Sequence, residues 1–274
     1  MSWLTGVTEL RRRGVPGVLV TVVQARGHAP RTAGAKMVVS ADATWGTIGG
    51  GNLESVAIER ARALLTTDAA HVTTVTTESF ELSDKAPLQH GVQCCGGAVT
   101  VLLETLPPSP TVAIFGVGHV GLELARILAR HDLDLHLVDS RPERLTPAML
   151  APLADAEAQV HVHALPILPE AALAELPRGA HILVMTHDHA EDAAIVDAAL
   201  RTDGIGSIGL IGSAGKWARF RARLLAEGGF GEADVDRVTT PIGLADLVGK
   251  EPAVIAVSVA ADLLLRLQTT HAEG

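Results

Sequence analysis

Short apolar runs and segments with helical spacing alternate along the second half of the chain. The apolar runs at residues 111–115 and 205–210 are each followed by a segment with apolar positions at helical spacing, over residues 120–131 and 216–227. Continuous apolar strands that alternate with helices predict a parallel sheet covered by helices on both faces. The other elements predicted in this half are strands at residues 134–138, 160–165 and 180–185, and helices over residues 190–200 and 252–267.

The first part of the chain has a different pattern. One strong helix is predicted there, over residues 53–65. The strand candidates lie at residues 18–23, 35–39, 72–77 and 98–103. Because these strands do not alternate regularly with helices, the pattern predicts a smaller α+β domain.

A proline-rich segment separates the two patterns. Residues 106–110 read Leu-Pro-Pro-Ser-Pro, which cannot continue a helix or a central strand and forms a stiff spacer. We therefore predict two domains, over residues 1–106 and 107–274. The fold class is an N-terminal α+β domain followed by a Rossmann-type, doubly wound parallel-sheet domain.

Composition narrows the classes of function. Of the 274 residues, 47% are hydrophobic and 19% are charged, which is typical of a folded protein, and the low aromatic content of 3% predicts an aliphatic core. The net charge of -9 argues against a nonspecific nucleic-acid surface and against an anionic membrane surface. The start of the chain has no apolar signal core, and no uncharged apolar run reaches the length of a membrane span. We therefore expect a cytoplasmic protein with neither a nucleic-acid nor a membrane partner.

The first motif follows the strand at residues 111–115. Gly116, Gly118 and Gly121 have the spacing of the Rossmann fingerprint, and Asp139 ends the next apolar strand. Such glycines allow a tight turn and close backbone approach to a diphosphate, and the acidic residue suits a ribose diol. The pattern predicts a nucleotide site, for example for NAD. The alternative is a fold retained for packing that binds no dinucleotide.

The second motif is a glycine run before the helix in the first domain. Gly49, Gly50 and Gly51 let the backbone approach a ligand at a helix start that favours anions. Arg31 follows a proline in the loop of residues 27–34 and offers a planar fork to phosphate or carboxylate. The alternatives are a flexible turn for the glycines and a solvated loop for the arginine.

The chain has only two cysteines, Cys94 and Cys95, and they are adjacent within the glycine-rich residues 91–97. Adjacent thiols cannot form a disulfide framework, which favours a reducing compartment. Soft thiolates suit soft metals and sulfur transfer, so we predict that this pair contacts a metal. The alternative is a pair of small buried residues.

Two further motifs follow strands of the second domain. Residues 186–192 contain His187 and His189 with nearby carboxylates, which suits a metal, a proton shuttle or a helix cap. Residues 209–216 end in Gly-Lys but lack the Ser or Thr of a phosphate-binding loop, since Trp217 stands at that position.

Seven motifs in order resemble the XdhC (also CoxI-like) family across nearly the whole chain. They are the loop at residues 27–34, the glycine segment at 46–54, Cys-Gly-Gly at 95–97, the fingerprint at 116–121, the segment at 186–192, and the Ile-Gly-Ser and Pro-Ile-Gly triplets at 211–213 and 241–243. Around residues 213–216 and after Gly243 the sequence departs from the family pattern.

The resemblance implies a xanthine dehydrogenase accessory protein that is more a cofactor chaperone than a catalyst. Such a protein binds the molybdopterin-type molybdenum cofactor and protects it while a cysteine desulfurase installs a sulfido ligand. It then delivers the cofactor to a xanthine dehydrogenase-type apoenzyme, and we expect a homo-oligomer. Arg31 and the glycine run would hold anionic groups, and Cys94 or Cys95 would lie near the metal. The fingerprint would bind a nucleotide or the dinucleotide form of the cofactor.

Two other functions compete with this interpretation. One is an NAD(P)-dependent oxidoreductase that uses the Rossmann domain, with His187 or His189 as the acid or base. The other is a scaffold for enzyme maturation without a ligand. The adjacent cysteines favour the carrier, because a simple dehydrogenase does not need them.

Overall fold

A computed structural model describes residues 2–27, 29–67, 73–81, 97–164 and 169–272. The chain divides into two compact units, one formed by Met1–Pro108 with Gln268–Gly274 and the other by Ser109–Leu267. The division at Pro108 falls inside the proline-rich segment. Among the described residues, no helix combines the length and the apolar character needed to cross a membrane.

The first unit is built on an antiparallel sheet. Its elements are α1 (Trp3–Arg13), β1 (Gly17–Gly27), β2 (Lys36–Val39), β3 (Thr44–Gly46), α2 (Gly51–Leu65), β4 (Val75–Glu81) and β5 (Gly97–Leu106). The strand order is β3-β2-β1-β5-β4. Alternate residues of β1, namely Val18, Val20 and Val22, are buried on one face. Leu53 and Ala57 of α2 belong to the same core, so the apolar stripe of this helix covers that face.

The second unit is a parallel sheet with helices. Its elements are β6 (Thr111–Phe115), α3 (His119–Leu128), β7 (Asp134–Asp139), α4 (Pro147–Leu150), β8 (Gln159–Ala164), α5 (Pro169–Ala174), β9 (His181–Val184), α6 (His189–Arg201), β10 (Ser207–Leu210), α7 (Ala214–Glu227), α8 (Glu232–Val235), β11 (Val238–Thr239) and the part of α9 (Pro252–Ala272) that ends at Leu267. The strand order is β11-β10-β9-β6-β7-β8, and every pair is parallel.

Helices cover both faces of the parallel sheet. Leu124 of α3 and Val259 of α9 share one core with Leu135 of β7. Ile195 of α6 and Leu224 of α7 belong to a separate core on the other face. The central strands read as continuous apolar runs because they are buried on both sides. The predicted fold class is therefore confirmed.

The order in which the strands are connected creates a topological switch point in this sheet, where the winding direction reverses. Strand β6 is the first strand of the unit in the chain, yet it lies in the middle of the sheet, with β7 on one side and β9 on the other. The order is that of the Rossmann fold, in which ligands bind outside the carboxyl ends of the strands where the winding reverses. The fingerprint and the segment after β9 both lie at this carboxyl edge.

The principal elements match the expected ones to within a few residues, with some additions. The helix α1 and the three-residue strand β3 were not expected, nor were the short elements α4, α5, α8 and β11. The apolar positions of helix α1 are interrupted by Gly6, and the helix ends in three arginines, so its hydrophobic periodicity is weak. The first residue of the strand predicted at 72–77 and the last of the strand predicted at 160–165 lie outside the described residues.

Candidate functional site

The three fingerprint glycines have different surroundings. Gly116 has a φ of 105°, and a side chain there would collide with the Met185 carbonyl group. A side chain at Gly121 would collide with the carbonyl oxygen of Gly116, so this glycine lets α3 approach the strand end. At Gly118, by contrast, no heavy atom lies within 4 Å of the added carbon. The middle glycine therefore leaves open space at the start of α3, where a diphosphate would approach the backbone.

Asp139 lies directly beside this loop. Its carboxylate is buried, and Oδ2 accepts a hydrogen bond of 2.7 Å from the backbone N–H of Val117. The guanidinium of Arg141 forms a bidentate pair with both carboxylate oxygens, at 2.9 Å each. The backbone N–H of Arg141 also donates to Oδ1, at 2.9 Å. The acidic residue is thus a bridge between the fingerprint loop and the residues after β7.

The pKa of both partners follows from this pairing. Burial by itself raises the pKa of Asp139, but the hydrogen bonds from Arg141 and Val117 outweigh it and lower the pKa below its usual value. The hydrogen bonds to Asp139 raise the pKa of Arg141. Both groups are charged at neutral pH. Sequence reasoning did not identify Arg141, although a basic residue two positions after the strand-ending aspartate is a usable signal.

The segment at residues 186–192 connects β9 to α6 beside the fingerprint. A side chain at Gly116 would also meet Thr186, so the two loops are in contact. Asp188 caps α6 by accepting hydrogen bonds from the N–H groups of Ala190 and Glu191. Asp188 therefore acts as the helix cap, one of the roles that the sequence allowed for this segment.

The two histidines of this segment are exposed. The side chain of His187 is 51% exposed, and its Nδ1 lies 3.8 Å from a carboxylate oxygen of Glu191. Among the described residues, no group of three or more His, Cys, Asp or Glu side chains is arranged to hold a metal ion. The metal and proton-shuttle roles suggested for this segment stay predictions.

Asp192, the last residue of the segment, points into the protein and pairs with Lys216. Asp192 is 0% exposed and Lys216 is 6% exposed. The Lys216 ammonium donates to Asp192 Oδ2 and, at 3.1 Å, to the carbonyl oxygen of Ile211. Lys216 therefore ties the loop after β10 to α6. It was not among the predicted site residues, because a buried charge pair leaves no local sequence pattern.

In the first unit the structure brings Arg31 and the glycine run together. A side-chain carbon built on Gly49 would lie 2.5 Å from Pro30 Cγ and 3.6 Å from Arg31 Cγ. Gly50 and Gly51 have φ values of 76° and 64° and open space where a side chain would project. The Arg31 side chain is exposed. The exposed side chain of Arg31 thus begins beside an open glycine turn at the start of α2, and the guanidinium that it carries suits an anionic group.

Glu54 occupies part of this turn. Its Oε2 accepts hydrogen bonds of 3.0 Å from the N–H groups of Ile48 and Gly50, and a third from the hydroxyl of Thr47. The carboxylate fixes the turn and places a negative charge near the helix start. Among the described residues, Arg31 is a source of positive charge next to this turn that could offset this carboxylate. The position of Glu54 four residues after Gly50, at the start of an apolar helix, was a signal for this capping role.

The adjacent thiols predicted to contact a metal, Cys94 and Cys95, lie outside the described residues. Their role stays a prediction from the sequence.

Comparison with known families decides the identity of the fold. The model of the XdhC Rossmann domain matches residues 112–263, and the model of the XdhC and CoxI family matches residues 10–76. The chain belongs to the XdhC family. Its fingerprint, Asp139–Arg141 pair and Asp192–Lys216 pair all lie within the matched Rossmann domain. Family membership supports a general accessory role for this XdhC protein.

This chain covers different shares of the proteins to which it is similar. The XdhC protein is 29% identical to the Uncharacterized protein YqeB of Escherichia coli strain K12 over 281 residues, which cover 96% of this chain and 46% of YqeB. The chain therefore spans about half the length of that relative. A crystal structure described as a xanthine dehydrogenase from Bacillus halodurans is similar at 19% identity and a TM-score of 0.48, covering 98% of this chain and 96% of that chain.

Proposed function

We propose that this XdhC protein binds the molybdenum cofactor, protects it, supports its sulfuration by a cysteine desulfurase and delivers it to a xanthine dehydrogenase-type apoenzyme. The observation that carries the proposal is the contact between the Arg31 loop and the glycine turn of residues 49–51 in a member of the XdhC family. The cofactor is cargo in this proposal, and the protein supplies binding and shielding.

The contacts of the first unit support recognition of the anionic end of the cargo. Gly50 and Gly51 leave the backbone accessible, and the exposed guanidinium of Arg31 offers paired N–H donors to a phosphate. Glu54 already bonds two N–H groups of the turn, so in the proposal the charge of Arg31 attracts the anionic group. In the proposal, the thiols of Cys94 and Cys95 supply the soft donors for molybdenum.

The test is the cofactor content of the protein purified from cells that make the molybdenum cofactor. Molybdenum and released pterin are measured per protein chain. We expect both to be retained, and Arg31→Ala to weaken retention about tenfold, as expected for the loss of one charge-assisted contact. The matched control is Arg60→Ala, because Arg60 is a 64% exposed arginine of the same unit on α2.

Delivery needs a separate measurement. The loaded protein is mixed with a xanthine dehydrogenase-type apoenzyme, with and without a cysteine desulfurase, and hydroxylase activity is followed. We expect activation that requires both the loaded protein and the desulfurase. Absence of molybdenum and pterin, together with tight binding of NAD, would reject the carrier and favour the oxidoreductase.

A further inference from the structure

The buried carboxylate of Asp139 has its acceptor positions filled. Oδ1 accepts from the backbone N–H and from Nε of Arg141, and Oδ2 accepts from Val117 and from Nη2 of Arg141. Each carboxylate oxygen has two lone pairs available for hydrogen bonds. A ribose diol placed at the end of β7 would therefore have to displace a charge-assisted bond in order to be bound by Asp139.

The guanidinium of Arg141 is the group that the structure presents at this position instead. Its Nη2 and the Val117 N–H of the fingerprint loop bond the same oxygen of Asp139, so the cation is held directly beside the loop. The pairing uses Nε and one N–H of Nη2, and a guanidinium has five N–H groups in all. The Arg141 side chain is 23% exposed, so part of it is accessible from solvent.

We propose that the Rossmann unit binds a dinucleotide that carries a 2′-phosphate, such as NADP, in preference to one with a free ribose diol, such as NAD. The open backbone at Gly118 receives the diphosphate, and Arg141 receives the 2′-phosphate. Asp139 is a positioning residue that fixes Arg141 to the fingerprint loop. This second ligand goes beyond the cofactor-carrier function and does not depend on it.

Two carboxylates limit the strength of the predicted preference. Glu143 and Glu191 both stabilise the charged form of Arg141, after the larger contribution of Asp139. They would also repel a phosphate, so we expect a preference of about tenfold and not of several thousandfold. In the proposal the phosphate forms charge-assisted hydrogen bonds with Arg141, whereas repulsion from carboxylates that it does not contact is screened by salt.

The test uses titration calorimetry of the full-length protein with NADP⁺ and with NAD⁺, which differ only in the 2′-phosphate. We expect NADP⁺ to bind about tenfold more tightly than NAD⁺. Equal binding, tighter binding of NAD⁺, or no binding of either dinucleotide overturns the proposal. Retention of molybdenum is measured on the same sample, so a failure here is distinguished from a failure of the carrier function.

Variants of Arg141 test whether this residue causes the preference for NADP⁺. Arg141→Ala should reduce the preference to about twofold or less while NAD⁺ affinity is kept or increased, because Asp139 is released. Arg141→Gln removes the charge but keeps a donor for Asp139, and it gives the same test if the alanine variant does not fold. Arg144→Ala is the matched control, since Arg144 lies three residues further along the same segment.

Two results with the variants would overturn the assignment. A folded Arg141→Gln protein that keeps the full preference would show that another group reads the 2′-phosphate. An equal loss of preference in Arg144→Ala would show that general electrostatic attraction, and not Arg141, causes the preference.

Gly118→Val should block binding of both dinucleotides, whereas Gly231→Val, at another helix start with a similar φ, should block neither.

Discussion

The ammonium group of Lys216 donates a hydrogen bond to the carboxylate of Asp192, and both side chains are buried. Lys216 lies on α7 and Asp192 lies on α6, the helices that follow the paired strands β10 and β9. The other oxygen of Asp192 accepts from the N–H and hydroxyl of Thr186, at 3.0 and 2.7 Å. One carboxylate therefore joins both loops at the carboxyl edge, beside the fingerprint.

Removing one member of this buried pair should destabilise the folded protein. In Asp192→Ala the Lys216 ammonium stays buried without its counter-ion, and we expect a loss of about 3–5 kcal/mol in the free energy of unfolding. The control is Asp197→Ala, which breaks an exposed pair with Arg201 on the same helix and should cost less than about 1 kcal/mol. Urea denaturation measures both, and similar losses would contradict the role of burial.

The double variant Asp192→Ala, Lys216→Met separates the ion pair from the packing. Because it removes both charges, it should be less destabilised than the sum of the two single variants. A strictly additive result would show that the two side chains do not interact in solution.

A second prediction concerns acid stability and rests on three histidines of β7 and β8. His136 is 8% exposed, its ring stacks on His161 with centroids 4.5 Å apart, and its Nδ1 lies 2.9 Å from Nε2 of His163. Burial, then the charges of His161 and His163, lowers the pKa of His136 to about 4. Asp134 and Glu175 face the outer two rings, at 3.7 and 3.3 Å.

The sign of the pH dependence follows from the lowered pKa. The unfolded chain protonates His136 near its ordinary pKa of about 6.5, whereas the native state does not until about pH 4. The stability that comes from keeping His136 neutral in the native state is fully present above pH 6.5. As the pH falls below this value, the free energy of unfolding decreases by up to about 1.4 kcal/mol per pH unit. The free energy of unfolding is measured by denaturation at pH 7.5, 6.5 and 5.5. Its slope against pH should be smaller in His136→Gln than in the parent protein, and unchanged in the exposed control His187→Gln.

The fingerprint was predictable because its determinants are local. The close approach of Gly121 to Gly116 and the open space at Gly118 both follow from the backbone path between β6 and α3, which the glycine spacing encodes. The same holds for the apolar runs of the parallel strands, whose burial on both faces leaves a continuous pattern. The type of the principal elements and the parallel class of this sheet could therefore be inferred from the chain alone.

The partners of the charged residues were not predictable in the same way. Asp139 matched the ribose-binding position by spacing, but the spacing says nothing about the orientation of Arg141. The pairing of Asp192 with Lys216 joins residues 24 positions apart, and it forms only because β9 and β10 are neighbours. Such contacts depend on the tertiary fold, so the sequence could suggest the site but not which charges are already paired.

A third prediction separates the packing role of the fingerprint from ligand binding. In Gly121→Ala the added methyl group collides with the Gly116 carbonyl oxygen and lies 3.3 Å from Ile114 Cγ2, so we expect a loss of about 1–3 kcal/mol in stability. Gly215→Ala, in the first turn of α7, meets open space and should be neutral or gain up to about 1 kcal/mol. Thermal unfolding of both variants checks this, and a fully stable Gly121→Ala protein would contradict the close packing.

The last prediction concerns Cys94 and Cys95, whose adjacency is the sequence's strongest argument for a metal contact. If the thiols contact molybdenum, replacing both with Ser or both with Ala removes soft donors, and both double variants should lose bound molybdenum. The melting temperature should change by less than about 2 °C, which corresponds to under about 1 kcal/mol. If the thiols are instead apolar core, Ser should destabilise the protein more than Ala, because a buried hydroxyl needs a partner. A marked drop in melting temperature for the Ser pair, with molybdenum content intact, would remove these residues from the site.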